Sequence, residues 1–463
     1  NKTRKGKSEQ HFFRLLENMA IYFVDVINGN DRNDGLSEGT PVADYKAINV
    51  HPGDSVLFKR GSFIRGGIEA VEGTAGNPVT YGAYGEGEMP TFCGSLNLSD
   101  RKLWHEESEN IWLLKSDDVP EVANFIFDKA ESFGTLRWSR EELREQGDFF
   151  DTAFGITSQT NEPQKGHKIF LYSKTNPALF YKDIECAVYG KKWLADNGHN
   201  LIYRDLRFIN SGVHALAGEG ETENMKVLGC RFENIGGAVW DKKQKIRFGN
   251  GVEMWNVGDN VEVRGCYFEN IYDSAVTQQG DKKCKPANGF LICDNVFIKC
   301  GMAAYEQRDK MPVFAEFEGN ICVGAGEGFS KQGEIMPRYS EIWPQPMGHH
   351  VFLWRITDKT DGGKLEIKNN VFYNASYGAA IYSIISQDAE KQIDLEKNTY
   401  YTENRDLLNR WGGENYKTFE EYKGCEQGCR YEKMDITNIL TKWNKQRLLC
   451  QKKERGVLDA KSI

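Results

Sequence analysis

Acidic, amide and aromatic side chains recur at regular spacing in a family of short segments between residues 212 and 384. The segments read GVHALAG, NGVEMWN, SAVTQQG, MAAYEQR, EGFSKQG, HHVFLWR and GAAIYSI. A period of two is typical of a strand with one buried face. When Val252, Val276, Ala304 and Val351 are aligned as an inward column, the residue after each of them is predicted to point outward.

The predicted outward face combines flat rings with acids and amides. It contains His214, Glu253, Trp255, Thr277, Gln279, Tyr305, Gln307, Gln332 and Trp354. Flat rings stack on the C–H faces of sugars, while amides and acids bond to hydroxyl groups. Arg355 and Arg247, the latter in the basic stretch DKKQKIRFGN, are further candidates because a guanidinium binds a carboxylate through two hydrogen bonds. All these residues are predicted to bind a carbohydrate substrate.

Three carboxylates and one lysine are the candidates for catalysis. Glu253 is the central one, with Glu306 or Asp273 as its partner, because a glycoside hydrolase needs one protonated and one ionised carboxyl group. Two coils would separate Glu253 from Glu306 by ~9–10 Å, which suits the wider, inverting arrangement. Glu306 and Lys331 both occupy inward-reading positions, so a buried ion pair is the alternative for them. Asp273 equally fits a turn that bonds backbone amides.

Two other functions remain open at this stage. A polysaccharide lyase needs a base beside a uronate carboxylate and a cation to neutralise it. Lys331, Tyr305 or His214 would supply the base, and Arg247 or Arg355 the cation. A non-catalytic glycan-binding solenoid is the third possibility. No cofactor is predicted: the cysteine and histidine spacings fit no metal site, and calcium stays possible without a clustered-acid motif.

A second family of segments predicts the scaffold. NMKVLGCRFENI (224–235) and NVEVRGCYFENI (260–271) are near copies, and related strands follow from residues 290, 314, 365 and 393. Two columns emerge, one rich in Asn (Asn295, Asn320, Asn370, Asn398) and one rich in Phe. Stacked coils would let the Asn side chains bond one another in a ladder. The copies recur because a single coil cannot bury its apolar face without the next one.

With its opening strand and turn, IYFVDVINGNDRNDG, and the later stretches PGDSVLFKRG and AGNPVTYGAYGEGEMP, the chain resembles the pectate-lyase-like superfamily of carbohydrate-active proteins. The likeness covers residues 21–100 and 200–402. It implies an all-β fold, a right-handed parallel β-helix, and carbohydrate chemistry of unspecified type, because this fold carries lyases, hydrolases, epimerases and binding proteins.

The predicted organisation has five parts. Residues 1–20 form a leader, 21–100 the first coils, 101–195 an inserted β-rich subdomain with a helical piece at 139–150, 196–402 the main β-helix with the site, and 403–463 a helical segment covering the open end. The first residues lack the apolar core of a signal peptide, which predicts a cytoplasmic protein unless an export signal was trimmed. The net charge of -8 argues against nucleic acid or an anionic membrane as partner. The favoured function is a glycoside hydrolase acting on a polysaccharide or oligosaccharide.

Overall fold

Three long, mainly parallel sheets wind around a common core. The computed structural model describes residues 19–115, 117–280, 284–327, 331–332 and 347–459, with only the backbone described at 331–332 and 448–459. The predicted leader therefore lies almost entirely outside the described residues. Each coil contributes one strand to each sheet, and equivalent strands of successive coils pair in parallel. The predicted right-handed parallel β-helix is confirmed.

The first sheet has strands Ile21–Val24, Ser55–Lys59, Val79–Tyr84, Leu201–Arg204, Lys226–Leu228, Val261–Arg264, Asn288–Cys293, Phe314–Glu318, Lys364–Lys368 and Ile393–Glu396. The second has Phe63–Arg65, Thr91–Cys93, Arg207–Ile209, Arg231–Ile235, Tyr267–Ile271, Val296–Ile298, Ile321–Ala325, Val371–Ala375, Thr399–Tyr401 and Arg430–Tyr431. The third has Trp193–Asp196, His214–Ala217, Val252–Met254, Ser274–Gln278, Ala303–Arg308, His349–Trp354, Ile381–Ile384, Asn409–Trp411 and Glu414–Tyr416.

The core consists of stacked rings and a polar ladder, as the two columns of the repeat predict. Phe232 and Phe268 stack with their ring centroids 4.7 Å apart and their planes 9° apart. In the ladder, Asn320 Nδ2 donates to Asn370 Oδ1 at 3.1 Å, and Asn370 Nδ2 donates to Asn398 Oδ1 at 2.9 Å. These amides are buried, so their mutual bonds replace the water that each would otherwise require.

A β-rich insert follows the first coils. One sheet of it has, in order, Lys331–Gln332, Thr135–Leu136, Asp148–Asp151, Ile169–Tyr172, Ile111–Leu114 and Trp104–Ser108. The other has Ser132–Phe133, Val122–Phe127, Ile184–Val188 and Ser95–Asn97. The helix predicted at 139–150 is wrong: only the 3-10 turn Arg140–Glu142 forms, because the Asp148 carboxylate accepts the Arg144 and Glu145 N–H groups and starts a strand.

The remaining elements are short, except for one helix. Two small pairs are Thr222–Glu223 with Gly258–Asp259, and Ala238–Asp241 with Ile246–Phe248. The α-helices are Ile156–Thr160, Pro177–Phe180, Gln387–Glu390, Phe419–Tyr422 and Ile436–Asp459. The 3-10 turns are Tyr45–Ala47, Arg101–Leu103, Asp128–Ala130, Arg140–Glu142 and Lys423–Cys425. No helix of the described parts has the length and apolar character needed to cross a membrane.

The C-terminal segment differs from the predicted helical cover. Its long helix lies along the side of the coils: Trp443 Nε1 donates to the Asp294 carbonyl at 2.7 Å and Arg447 Nη1 to the Gly229 carbonyl at 3.1 Å. The last coil is closed by short strands and by Glu426, which takes the next place in the Asn ladder and accepts from Asn398 Nδ2 at 3.0 Å. A ladder that ends on Glu426 leaves its last amide, that of Asn398, with a partner.

Candidate active site

A cleft of about 860 Å³ opens on the outward face of the third sheet. The sheet forms its floor. One wall is the antiparallel pair Ala238–Asp241 and Ile246–Phe248, called here the wall hairpin, and beside it lies the short helix Ile156–Thr160 of the insert. The insert and the coils therefore build the cleft together, and it is large enough for several sugar rings.

Strand register places one row of side chains across the floor. Glu253 pairs with Thr277, Thr277 with Glu306, and Glu306 with Phe352. Equivalent positions of paired strands point to the same side of a sheet, so these four side chains lie in one row. Two residues along, a parallel row contains Arg308, paired with Trp354.

Glu253 is a buried carboxylate bound to a histidine. Its Oε2 atom lies 2.6 Å from Nδ1 of His214, which carries the shared proton when Glu253 is ionised. The N–H of Asn250, 3.1 Å from the same nitrogen, donates there only when that proton is absent. Burial alone would raise the pKa of Glu253, but His214, Asn250 and Arg308 outweigh burial and lower it. Glu253 is therefore the ionised carboxylate of the cleft.

Glu306 has the opposite tendency. Burial is the main cause that raises its pKa, and the nearby charge of Asp273 acts in the same direction, against Arg308 and the hydrogen bonds from Trp354 and Thr277. Trp354 Nε1 donates to Oε1 at 2.6 Å, and Thr277 Oγ1 lies 2.8 Å from Oε2. Glu306 has no exposed surface although it lies directly beneath the cleft. Its pKa is thus raised where that of Glu253 is lowered.

Asp273 lines the cleft directly before the strand that contains Thr277. It is 7% exposed, whereas Glu306 is fully buried. The charge of Asp273 is one cause of the raised pKa of Glu306, so the two carboxyl groups lie close enough to interact. Asp273 and Glu306 are thus the candidates for an acid at the cleft, and Glu253 is the candidate for a base.

Arg308 lies between two indoles. Its guanidinium carbon is 5.7 Å from the ring centroid of Trp255 and 5.4 Å from that of Trp354. Its Nε donates to Asp309 Oδ2 at 3.0 Å, and Arg355 Nε binds the other oxygen of Asp309 at 3.0 Å. The carboxylate and the rings hold the guanidinium in one plane, which presents its outer N–H groups as a fixed fork.

Nine of the residues predicted from sequence line this cleft. They are His214, Arg247, Glu253, Trp255, Asp273, Gln279, Glu306, Trp354 and Arg355. Glu306 was read as inward-facing, yet its strand places it in the row of Glu253. The alternative of a buried pair between Glu306 and Lys331 concerns a lysine side chain outside the described residues.

The predicted outward positions of Tyr305 and Gln307 are wrong. Tyr305 pairs with Val276 and is fully buried, with its ring stacked on Phe317 at 5.5 Å. Gln307 accepts a 2.6 Å hydrogen bond from the Tyr305 hydroxyl and is buried as well. The alignment on Ala304 shifted this strand by one residue, which exchanges its two faces.

Thr277 and Arg247 have supporting positions. Thr277 is buried beneath the cleft, where it bonds to Glu306 as described above. Arg247 forms part of the cleft wall but is buried: Nε donates to the Gly237 carbonyl at 2.6 Å, and Nη2 donates to the Ala123 carbonyl at 2.9 Å and to Asn124 Oδ1 at 2.7 Å. Its guanidinium ties the wall hairpin to the insert, so the prediction that it binds substrate is wrong.

The prediction for Lys331 and Gln332 concerns side chains outside the described residues. Their backbone pairs with Thr135–Leu136 of the insert, and the third sheet passes directly from Ala303–Arg308 to His349–Trp354. The predicted place of these two residues in the third sheet is therefore wrong.

Sequence reasoning missed Arg308 and the aromatic wall. Arg308 follows the segment MAAYEQ at the position of Trp354 in the next coil, and the correct register would have identified it. Trp240, half exposed on the wall hairpin, was missed because it lies outside the repeated segments. Within the parts of the chain that the structure describes, no group of three His, Cys, Asp or Glu side chains is placed to hold a metal ion.

Comparison with known proteins gives structural likeness only. No family model matches the sequence, and no curated protein matches it. A solved structure described as a complex of XylC with xylose has a TM-score of 0.51 at 11% identity, covering 84% of this chain and 63% of that one. This chain thus spans less than two thirds of the length of that protein.

Two further solved structures are similar over more of their own length. A GH136 lacto-N-biosidase from Eubacterium ramulus has a TM-score of 0.45 at 14% identity, covering 92% of this chain and 70% of that one. A rhamnogalacturonan lyase has a TM-score of 0.32 at 13% identity, covering 86% and 84%. The solved structures similar to this chain thus include glycoside hydrolases and polysaccharide lyases, and what they share with it is the parallel β-helix predicted from its repeats.

Proposed function

We propose that the protein is a carbohydrate-active enzyme, and specifically a glycoside hydrolase that cleaves a glycan bound in the cleft. The observation that carries this proposal is the row of side chains that places Glu253, bound to His214, and the buried Glu306 on the floor of an aromatic cleft. A lowered pKa at one carboxyl group and a raised pKa at the other is what acid–base hydrolysis of a glycosidic bond requires.

In the proposed reaction the proton comes from the pair of Asp273 and Glu306. It passes to the glycosidic oxygen as the bond to the sugar breaks, and the electron pair of that bond leaves with the departing sugar. Asp273 is the partner exposed to the cleft, and Glu306 beneath it has a raised pKa, which favours its protonated form. The function of this pair is thus to supply the proton, whichever of the two carboxyl groups delivers it.

Glu253 acts as the base that activates a water molecule. It lies two strands from Glu306, and a strand spacing of about 4.8 Å gives a backbone separation of ~9–10 Å. Inverting hydrolases place their carboxyl groups about 6.5–9.5 Å apart to admit a water molecule, whereas retaining ones need about 5–5.5 Å. The strand spacing therefore favours inversion at the anomeric carbon.

One observation favours a lyase as the second candidate. His214 bound to Glu253 is a histidine–carboxylate pair, which serves as a general base when its outer nitrogen reaches a substrate proton. Of the other predicted bases, Tyr305 lies in the core. Elimination and hydrolysis give different products, so the choice is open to direct measurement.

The experiment is digestion of neutral and uronate-containing glycans, followed by reducing-sugar release and by absorbance of unsaturated uronates. Glu253→Gln and Asp273→Asn should each lower kcat/KM by about 10²–10⁴-fold, the usual worth of a general acid or base. Glu219→Gln, at a rim residue paired with Lys192, is the matched control and should retain activity.

A good leaving group separates the roles. With a nitrophenyl glycoside, the loss in Asp273→Asn and Glu306→Gln should shrink, because a nitrophenolate departs without a proton, whereas the loss in Glu253→Gln should persist. Reducing ends that rise together with ultraviolet absorbance would replace the hydrolase by the lyase. Wild-type activity in Glu253→Gln would end both proposals for this cleft.

A further inference from the structure

The charged side chains around the cleft are already paired. Lys192 Nζ binds Glu219 at 2.7 Å, and Arg308 and Arg355 share Asp309. Cationic groups that face solvent in a cleft usually mark a site for an anionic ligand, since a free guanidinium or ammonium needs a counter-charge. Here the protein supplies each counter-charge itself.

The charge count supports the same conclusion. The cationic lining residues are Lys192, Arg247, Arg308 and Arg355, and the anionic ones are Glu219, Glu253, Asp273 and Glu306. Asp309 adds one negative charge behind the arginines. The acidic groups thus at least balance the basic ones, so a chain of uronates or sulfated sugars would enter without net attraction and beside the carboxylates that perform the chemistry.

What the cleft offers in place of charge is exposed aromatic surface. Trp240 on the wall hairpin is 51% exposed and Trp255 on the floor is 50% exposed, and both line the cleft. Large indole faces left in water are costly unless a ligand covers them, and sugars bind such faces through their C–H groups. The two rings mark two places for sugar rings.

Arg308, beside Trp255, supplies directional hydrogen bonding in the cleft. Its Nε donates to Asp309, as described above, and its side chain is 17% exposed. The outer N–H groups form a planar fork whose spacing matches two neighbouring hydroxyl oxygens as well as it matches a carboxylate. A diol fits better here, because Asp309 binds the guanidinium and Glu253 lies close enough to interact with its charge.

We propose that the cleft takes a neutral glycan, whose rings stack on Trp240 and Trp255 and whose vicinal hydroxyls accept hydrogen bonds from Arg308. This inference rests on the proposed function and adds the substrate class to it. Arg308 is the specificity-determining residue: it recognises a pair of hydroxyl groups, and Asp309 cancels the charge that would select an acid.

The test is a binding measurement with matched pairs of oligosaccharides. Glu253→Gln protein, which should bind without cleaving, is titrated with neutral gluco-, manno- and galacto-oligosaccharides and with counterparts in which C6 is oxidised to the uronate. A neutral member should bind at least about tenfold more tightly than its oxidised counterpart, a difference that one unpaired charge in the cleft readily produces.

Substitutions test which side chains contact the bound glycan. Trp255→Ala and Trp240→Ala should each weaken binding by about tenfold or more, as for other well-packed indole contacts. Arg308→Lys keeps the charge but loses the fork, and should weaken neutral binding by a similar factor. Phe63→Ala removes an equally exposed ring outside the cleft and should leave binding unchanged.

Three possible results would each overturn a different part of the proposals. Tighter binding of an oxidised member, with cleavage retained in the wild type, overturns the neutral substrate and leaves the hydrolase intact. Neutral binding that is indifferent to Trp255→Ala, Trp240→Ala and Arg308→Lys overturns the assigned contacts. Absence of both binding and cleavage across the panel overturns the proposed function, and this inference with it.

Discussion

Acid should destabilise this fold through two neighbouring histidines. His349 and His350 are 0% and 1% exposed. The ring of His349 stacks on Tyr382 at 4.4 Å, and its Nδ1 accepts the Ala379 N–H at 3.0 Å. Burial lowers the pKa of each imidazole from 6.5 to about 3. Both rings are therefore neutral in the folded protein and must gain protons on unfolding in mild acid.

The direction and the size of the pH effect on stability follow from the difference between the folded and unfolded pKa values of the two histidines. Because the folded pKa lies below the unfolded one, the stability from these groups is complete above pH 6.5 and falls as the pH drops toward 3. Between about pH 7 and about pH 5, each histidine should cost about 2 kcal/mol and the pair about 4 kcal/mol, at about 1.4 kcal/mol per pKa unit. That is a large part of the roughly 5–15 kcal/mol that stabilises a typical protein.

Urea unfolding followed by circular dichroism at about pH 7 and about pH 5 measures the effect. The double variant His349→Asn/His350→Phe keeps an acceptor for the Ala379 N–H and a ring on Phe372 but cannot take up the protons. Its free energy of unfolding should fall between these pH values by about 4 kcal/mol less than that of the wild type. His199→Asn, at a partly exposed site, is the control. Equal losses in wild type and double variant would refute the argument.

Three other predictions concern the ladder, the wall and the buried acid. Asn320→Ala should cost about 2–4 kcal/mol in urea unfolding, because it leaves buried ladder groups without partners, whereas exposed Asn415→Ala should cost little. Arg247→Met should expose the wall hairpin to protease and abolish glycan cleavage with the coils intact by circular dichroism, since three carbonyl-type oxygens lose their donor. The pH titration of Trp354 fluorescence should have its midpoint above 4.5, the ordinary pKa of a glutamate, and should vanish in Glu306→Gln. A fluorescence midpoint at or below 4.5 would contradict the assignment of the proton to that carboxyl group.

The sequence was most informative where the same physical requirement recurs in every coil. A strand with one buried face must alternate, and buried amides at one turn must pair, so the Phe column and the ladder through Asn320 and Asn370 could be predicted without coordinates. Glu253 was identified for the same reason, because NGVEMWN alternates clearly. The Phe column, the Asn ladder and the outward position of Glu253 thus follow from the periodicity of the sequence.

The errors arose where alternation is ambiguous or contacts are distant. In MAAYEQR two alanines fit either face, and only the stack of Tyr305 on Phe317 selects the register that buries the tyrosine and turns Glu306 to the cleft. For Arg247, the partners Ala123 and Asn124 lie more than a hundred residues away in sequence. No local pattern indicates such a contact, so a buried arginine resembled a substrate-binding one.

The insert acts on the cleft chiefly from behind its wall. Gly237 has a φ of 101°, and a Cβ atom there would lie 2.2 Å from Asn124 Nδ2 and 2.8 Å from Arg247 Nη2. Such an approach is open only to glycine, so the wall hairpin, the insert and the guanidinium form one close-packed joint. Trp240 lies on this hairpin, and its indole can meet a sugar over the floor only while the joint holds. The β-helix therefore fixes the carboxylates of the floor, and the insert fixes the position of Trp240 on the wall beside them.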